Sequence, residues 1–416
     1  MENIYAVIDV KAFYASFECI ERNLDPFTTP LVVTDVARKE ATIVVSVSPY
    51  LKAMGVPSRC RRADLPKNIP NMIYATPQMG KYVKCSAKIV SILLDFIAQD
   101  DIHVYSIDES FVNLKPYLKL YKCTPEELCA RIQKRIKDET GLTVTCGIGE
   151  NMFLAKMADD IEAKKAPNYI AIWKKEDVPT KLWPLKPLSK VWGISTGYEK
   201  RLNIMGIYSV YDLAHFNKDI LIKKLGILGE ELYNHANGID NTDIREKYDP
   251  VNKNLSVGQV LLRDYTFKEA KLIIKEMNDD LCSRMRSFNL ETQVIHLMVG
   301  YSTCSQAVGF SHQIQLLLPT SNNNKIYDAL MYLYNSYVND EPIRRIGISF
   351  SKLTKKQDIQ LSLFDNYEKD EKESKLFDAM DAIQKKYGKN KLLRTSSLSK
   401  ESTAKERHNQ IGGHRK

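Results

Sequence analysis

Segments with the pattern of β-strands alternate with segments with the pattern of helices over residues 1–165. "NIYAVIDV" is a short β-rich run, and Phe13, Phe17 and Ile20 then recur at helical spacing. The alternation continues with the strand-like "LVVTD" and "LTVTCGIG" and with helical patterns over 81–99 and 151–163. This order is what an α/β or α+β domain requires.

The length and charge of the chain set further bounds. With 416 residues it is too long for one hydrophobic core, and about two to four domains are expected. Its 44% apolar and 27% charged residues fit a globular protein and exclude wholesale disorder. The net charge of +9 permits a polyanionic partner but does not by itself demonstrate one.

The cysteines and the N-terminus indicate where the protein works. The 8 cysteines are scattered without a paired spacing, which is typical of reduced cysteines in a cytosol. The chain has no apolar run of about 18 residues, and "MENIYAVIDV" lacks the basic start of a signal peptide. We therefore expect a cytoplasmic protein without membrane contact.

Two adjacent carboxylates, Asp108 and Glu109, interrupt the apolar run "HVYSIDESFV". On a regular strand they would point to opposite faces, and one would be buried at a high cost without a partner. A hairpin bend would let both face one cleft, with Asp9 at the end of the first strand as a third acid. Hard cations such as Mg²⁺ prefer such ligands. The alternative is that Asp108 caps a turn and Glu109 is solvated.

Three segments in order carry a resemblance to a known family. "DVKAFYASFE" (9–18), "YSIDES" (105–110) and "GIGENMFLAKMADD" (147–160) resemble motifs of the Y-family DNA polymerases. "GISTGYEKRLNIMGI" (193–207) is similar to the helix-hairpin-helix of the same family. The resemblance extends over residues 1–355, and the C-terminal segments resemble the UmuC-like branch of Gram-positive bacteria (ImpB/MucB/SamB type).

The resemblance implies a multidomain α/β and α+β right-hand architecture. The palm, a ferredoxin-like sheet with helices, would comprise residues 1–11 and 77–172. The other parts would be the small fingers (12–76), a helical thumb (173–240), a linker (241–253), an α+β little finger (254–355) and a flexible tail (356–416).

The implied activity is template-directed DNA synthesis across damaged template, with low fidelity and no proofreading, as part of DNA repair and the SOS response. Asp9, Asp108 and Glu109 match the acids that bind two Mg²⁺ ions, and the carbonyl of Val10 would complete one metal shell. The primer 3′-hydroxyl would attack the α-phosphate of a dNTP and release pyrophosphate.

The resemblance also assigns nucleotide contacts. Tyr14 falls at the steric-gate position, where a ring beneath the sugar excludes a ribose 2′-hydroxyl; the alternative is an ordinary packed aromatic. Lys52 matches a basic residue that contacts the triphosphate, and Lys164 or Lys165 would supply a second contact. The full predicted nucleotide-binding set is Phe13, Tyr14, Ser46, Lys52, Lys164 and Lys165.

DNA contacts are expected in the thumb and the little finger. Gly193 and Gly206 allow tight turns whose amides can face phosphates without reading sequence, although glycines also simply stop helices. The predicted DNA-binding residues are Gly193, Ile194, Gly197 and Gly206. Scattered lysines and arginines of the little finger are consistent with contacts along the DNA backbone.

"QLSLFD" (360–365) interrupts the otherwise polar tail. It resembles the peptide by which bacterial polymerases bind the β sliding clamp, with Gln360, Leu361, Leu363 and Phe364 as the contact residues. A UmuD-like accessory protein and RecA are further candidate partners beside primer–template DNA and dNTP.

Two other functions remain open from the sequence. A nucleotidyl cyclase can use a similar palm with paired acids, but the helix-hairpin-helix and the module over 250–355 argue against it. A non-catalytic DNA-binding scaffold is disfavoured because all three acids are present.

Overall fold

The fold is described from a computed structural model that covers residues 3–37, 40, 42–246, 253–356 and 367–415. The chain divides into two compact units, Met1–Lys247 with His414–Lys416, and Tyr248–Gly413. The boundaries of palm, fingers and thumb inside the first unit stay predictions. No helix in the described ranges combines the length and the apolar character that a membrane span needs.

The first unit holds strands β1–β8 and helices α1–α10. In chain order they are β1 (Tyr5–Val10), α1 (Phe13–Ile20), β2 (Leu31–Val33), β3 (Ser46–Val47), α2 (Pro49–Ala53), β4 (Ile73–Ala75), α3 (Met79–Leu94), β5 (Ile102–Val104), β6 (Glu109–Asn113), α4 (Lys115–Tyr121), α5 (Pro125–Thr140), β7 (Val144–Gly149), α6 (Met152–Ile161), β8 (Ile170–Trp173), α7 (Thr196–Ile204), α8 (Val210–His215), α9 (Lys218–Leu225) and α10 (Ile227–Ala236).

A five-stranded sheet in the order β5-β6-β1-β7-β8 forms the centre of this unit. β1 runs antiparallel to both β6 and β7, so its end at Asp9 lies between two partners. Ile8, Val10 and Cys146 pack with Ile92 of α3 and Ile132 of α5 in one core. The alternating apolar residues of the sequence thus cover one face of the sheet.

Two glycines of β7 bring α6 unusually close to the other face of the sheet. A Cβ atom at Gly147 would lie 2.2 Å from the carbonyl oxygen of Ala155, and one at Gly149 would lie 2.3 Å from its nitrogen. Because only glycine lacks this atom, "GIG" lets the helix backbone rest on the strand. The C-terminal half of α6 is thereby held beside the end of β1.

Two smaller substructures complete the first unit. β3, β2 and β4 form a three-stranded sheet within the predicted fingers. α7–α10 form a helical region, in which Ser195 caps α7 and Ser209 caps α8 through hydrogen bonds to backbone amides. The turn between α7 and α8 contains Gly206 at φ 83°, so two short helices are joined by a glycine turn here; the assignment of a helix-hairpin-helix stays a prediction.

The second unit is built around a four-stranded antiparallel sheet. Its elements are β9 (Leu255–Tyr265), α11 (Phe267–Ser287), β10 (Leu290–Tyr301), β11 (Phe310–Thr320), α12 (Asn323–Tyr337), β12 (Ile343–Lys355), α13 (Tyr367–Tyr387), α14 (Ala404–His408) and β13 (Gln410–Ile411), and β14 (His414–Arg415) follows them in the chain. The sheet order is β11-β10-β12-β9. Ile273 and Met277 of α11 and Leu330 of α12 are buried against it.

The prediction of a flexible, extended tail is wrong for residues 367–415. α13 alone is 21 residues long, and residues 367–413, which we call the C-terminal clasp, pack against α11. Phe377 is 4% exposed, and Asp381 pairs with Arg286 of α11 at 2.7 Å. The polar composition of the segment misled the prediction because its charges have partners on another element.

The clasp continues with a second set of ion pairs beyond α13. Asp280 of α11 pairs with Arg407 at 2.7 Å, with His408 at 3.0 Å and with Lys389 at 3.1 Å. Arg394 pairs with the adjacent Asp279 at 2.5 Å. One face of α11 therefore contacts the sheet, whereas a row of its acids binds the clasp.

Candidate active site

The three predicted acids meet where β1 ends and β6 begins. Asp9 lies directly opposite Glu109 in the antiparallel pair, and the amide of Val10 donates a 2.9 Å hydrogen bond to the carbonyl oxygen of Asp108. Asp108 itself lies in the bend between β5 and β6, where its carboxylate accepts a 2.7 Å hydrogen bond from Ser106 Oγ. The hairpin bend expected from the sequence is present.

A buried lysine of α6 is paired with these acids. Lys156 is 6% exposed, and its Nζ lies 2.8 Å from Glu109 Oε1, 3.1 Å from Asp160 Oδ1 and 3.9 Å from Asp9 Oδ2. Burial alone would lower the pKa of Lys156. The negative charges of Asp160 and Glu109 together outweigh burial, so the pKa of Lys156 is raised. Burial in turn raises the pKa of Glu109 against the charge of Lys156.

A second lysine, Lys164, also pairs with carboxylates of this site. Lys164 Nζ is 2.6 Å from Asp160 Oδ1, 2.7 Å from Asp9 Oδ2 and 3.2 Å from Asp159 Oδ2. Burial lowers the pKa of Lys164, but Asp9, Asp159 and Asp160 outweigh it and hold the pKa above its usual range. Lys165 is exposed, so the structure brings Lys164, rather than its neighbour, to the site.

Asp159 and Asp160 are site residues that the sequence analysis did not assign. Carboxylate oxygens of Asp9, Asp159 and Asp160 lie within 4.8 Å of one another. Asp159 is fully buried and accepts a 2.5 Å hydrogen bond from Thr145 Oγ1, and burial raises its pKa to about 7 against the charge of Lys164. The available signal was "LAKMADD", which carries charged residues into an otherwise apolar helix.

Tyr14 lies on the first helix beside this cluster. Its ring is 4.8 Å from the ring of Tyr82 and 5.5 Å from that of Phe13. Burial, and after it the charge of Asp108, raises the pKa of the Tyr14 hydroxyl. Ala12, just before the helix, is left-handed at φ 49°, an uncommon conformation for a residue with a side chain.

The remaining predicted nucleotide contacts are Lys52, Phe13 and Ser46, and they differ in burial. Lys52 lies on α2 with an exposed side chain; partial desolvation lowers its pKa, and the charges of Asp9 and Asp108 oppose this. Phe13 is 1% exposed and belongs to the core. Ser46 is buried in β3 opposite Val33.

The predicted DNA contacts of the thumb lie around α7. Gly193 has a φ of 90°, and Gly197 lies in the first turn of α7, where amides have no partner within the helix. Ile194 is 4% exposed and its amide donates to the carbonyl of Val191, so its side chain packs inside the protein and does not face DNA. The amide of Gly206 likewise donates to Asn203.

The predicted clamp-binding residues lie outside the described residues. They are Gln360, Leu361, Leu363 and Phe364.

Comparison with known proteins identifies the family. The model of the impB/mucB/samB family matches residues 8–160, and that of the impB/mucB/samB family C-terminal domain matches residues 252–363. The chain belongs to this family, within the Y-family polymerases. As the sequence predicted, this family member is a DNA-directed DNA polymerase of the translesion type.

Two relatives match the family member over nearly its whole length. A Bacillus subtilis (strain 168) protein named UvrX, for UV-damage repair, is 37% identical over 98% of this chain and 96% of its own. DNA polymerase IV 2 of the same strain is 33% identical over 100% of this chain and 99% of its own.

A solved structure supports the fold of this family member. A Y-family DNA polymerase chimera superposes with a TM-score of 0.67 and 21% sequence identity, covering 85% of this chain and 100% of the chimera. The predicted multidomain α/β polymerase fold is thereby confirmed.

Proposed function

We propose that Asp9, Asp108 and Glu109 are the catalytic acids with which this polymerase joins a dNTP to a primer 3′ end. The observation that carries the proposal is the strand register, which sets Asp9 opposite Glu109 and ties Val10 to Asp108. Acids at adjacent strand ends are held by the sheet itself, so little rearrangement is needed to hold a reacting phosphate.

The donor set fits divalent ions. Its ligand atoms are carboxylate oxygens, which Mg²⁺ prefers, and two ammonium groups already lie among them within 4 Å. Asp9, Asp108 and Glu109, with the carbonyl of Val10, would hold two Mg²⁺ ions, and Asp159 and Asp160 lie beside Asp9. Two such ions supply charge stabilisation at the attacking and leaving oxygens.

The lysines and Tyr14 would handle the incoming nucleotide. Lys164 already pairs with Asp9 at 2.7 Å, so a triphosphate bound there would replace this lysine–carboxylate pair by a lysine–phosphate pair. Lys52 of α2 would supply a further contact. Tyr14, beside Asp108, would lie under the sugar and exclude a 2′-hydroxyl.

We further propose that the amides near Gly193 and Gly197 contact DNA phosphates. The turn at Gly193 and the first turn of α7 support this, and such contacts carry no sequence preference. Clamp binding through 360–365, a UmuD-like partner, RecA and SOS regulation complete the proposal and rest on the resemblance. The proposed cytoplasmic location rests on the unpaired cysteine pattern and on the N-terminal sequence.

Primer extension with Mg²⁺ tests the catalytic assignment. Asp108→Ala should lose more than about 100-fold in turnover, because removing a metal ligand costs several kcal/mol of barrier. Asp138→Ala, the same change at an exposed acid of α5, is the control.

Three results would contradict the proposal. A tenth or more of wild-type turnover in Asp108→Ala would exclude the acid from catalysis. Extension by neither wild type nor control would favour a DNA-binding scaffold. Product formed from nucleotide without template would favour a cyclase.

A further inference from the structure

Glu18 is a fully buried carboxylate that the proposed reaction does not use. It lies one helical turn after Tyr14 on α1, and its side chain is 0% exposed. Three donors surround it: the hydroxyl of Tyr82 at 2.5 Å, Nε2 of Gln78 at 3.2 Å, and Nη1 of Arg22. The carboxylate is thus both charge-paired and hydrogen-bonded inside the protein.

Tyr82 of α3 connects this carboxylate to Tyr14. Its side chain is fully buried; its hydroxyl binds Glu18 while its ring lies 4.8 Å from that of Tyr14 at an interplanar angle of 40°. Phe17 contacts the Tyr82 ring edge-on, with the two ring centroids 5.3 Å apart. One side of the Tyr14 ring therefore rests on a side chain that is itself fixed at its far end.

Stability alone does not account for this arrangement. Buried ion pairs can often be replaced by apolar residues without loss of stability, and a phenylalanine would keep the aromatic contacts of Tyr82. The hydrogen bond from the Tyr82 hydroxyl to Glu18 adds something that a phenylalanine could not. It fixes the position of the Tyr82 ring.

We propose that Glu18, acting through Tyr82, holds the Tyr14 ring in place and so sets the discrimination against ribonucleotides. This inference rests on the proposed role of Tyr14. Glu18 and Tyr82 are both 0% exposed, so they would act as positioning residues through Tyr14 rather than by contact with the nucleotide.

A firm support matters here because of how a 2′-hydroxyl is excluded. A binding pocket discriminates only weakly against a substrate with one added hydroxyl group. The discrimination is weaker still when the side chain that lines the pocket can move. A ring that cannot shift must clash with the extra oxygen, whereas a ring with a loose support moves aside at little cost.

The experiment compares kcat/KM for a deoxynucleotide with that for the matching ribonucleotide. Tyr82→Phe removes one hydroxyl, and the ratio should fall about threefold to tenfold, the size expected when the positioning that one ordinary hydrogen bond provides is lost. Tyr117→Phe is the matched control, since its hydroxyl donates to another buried acid, Asp101, at 2.7 Å; its ratio should stay at the wild-type value.

Two further variants separate positioning from folding. Glu18→Gln keeps an acceptor for Tyr82 and should keep most of the discrimination, whereas Glu18→Leu should lose it. In a Tyr14→Ala background, which should itself lower the ratio, Tyr82→Phe should have no further effect. Thermal unfolding is measured for each variant.

The outcomes distinguish the inference from its premise. If Tyr14→Ala lowers the ratio but Tyr82→Phe and Glu18→Leu do not, the inference is overturned and the role of Tyr14 stands. If Tyr14→Ala leaves the ratio unchanged, both fall. A lower melting temperature with a wild-type ratio in Tyr82→Phe would assign Glu18 and Tyr82 a structural role only, which also overturns the inference.

Discussion

Lys164 and Lys165 are adjacent in the chain but differ in surroundings. Lys164 Nζ lies within 3.2 Å of three carboxylates, whereas Lys165 is exposed. The two residues therefore form a natural pair of test and control for the proposed triphosphate contact.

Lys164→Ala should lower kcat/KM for dNTP by about tenfold to 100-fold, the value of one charge-assisted contact. Lys165→Ala should stay within about twofold, since an exposed lysine contributes little. Steady-state primer extension at saturating Mg²⁺ measures both. Equal losses in the two variants would show that the contact is not specific to Lys164.

Single residues also show where sequence reasoning ends. Asp108 and Glu109 are visible as acids in an apolar run, and the bend that reconciles them follows from the cost of burial. Lys156 and Asp159 were missed, because on a helix viewed alone they look like ordinary charges. Only the packing of α6 onto Gly147 and Gly149 brings them to Asp9, and no local pattern shows that packing.

At the scale of elements, the acids of α11 hold the C-terminal clasp in place. Burial would raise the pKa of Asp280, but the hydrogen bond from His408 and the charges of Arg407 and Lys389 outweigh it and hold the pKa well below its usual range. A carboxyl of this kind stabilises the fold above its unfolded pKa of about 4 and loses that contribution as the pH falls.

Asp280→Asn should therefore cost about 2 kcal/mol or more of unfolding free energy at neutral pH, since it leaves several cations partly buried without their partner. The cost should shrink below about pH 4, where the wild-type carboxyl also begins to protonate in the unfolded state. Denaturant unfolding across pH measures it.

Asp264→Asn is the control for this change. Asp264 pairs with Arg344 at 3.3 Å, with both side chains more than a third exposed, and such a pair contributes under about 1 kcal/mol. Equal costs for the two variants would mean that the clasp is not held through Asp280.

Most elements could be predicted, and the exception has a clear cause. The helix predicted over 151–163 is α6, Met152–Ile161, whose start is capped by the side chain of Asn151. α13, by contrast, lacks a broad apolar stripe, and its place depends on Arg286 of α11, which pairs with Asp381, and on Lys325 of α12, which pairs with Asp370. A pattern within one segment cannot reveal complementary charges on a distant one.

For the whole molecule, charge predicts how DNA binding depends on salt. With a net charge of +9 and contacts mainly to phosphates, neutralising about five phosphates gives a log–log slope of roughly −4 to −5 on duplex DNA. Fluorescence anisotropy with primer–template over a salt series measures the slope. A slope near zero, or strong preference among duplex sequences, would contradict binding through the DNA backbone.

The C-terminal clasp has a practical meaning for anyone who prepares shortened versions of this polymerase. A fragment ending at β12 looks complete by sequence, because the family models end by residue 363. Such a fragment would lose every cation that faces Asp279 and Asp280 from the clasp and would uncover the apolar surface beneath Phe377. Exposed apolar surface favours aggregation, and adjacent acids left without their cations repel one another and weaken the fold. The loss of activity in such a fragment would then report damage to its own scaffold rather than the removal of a partner-binding segment.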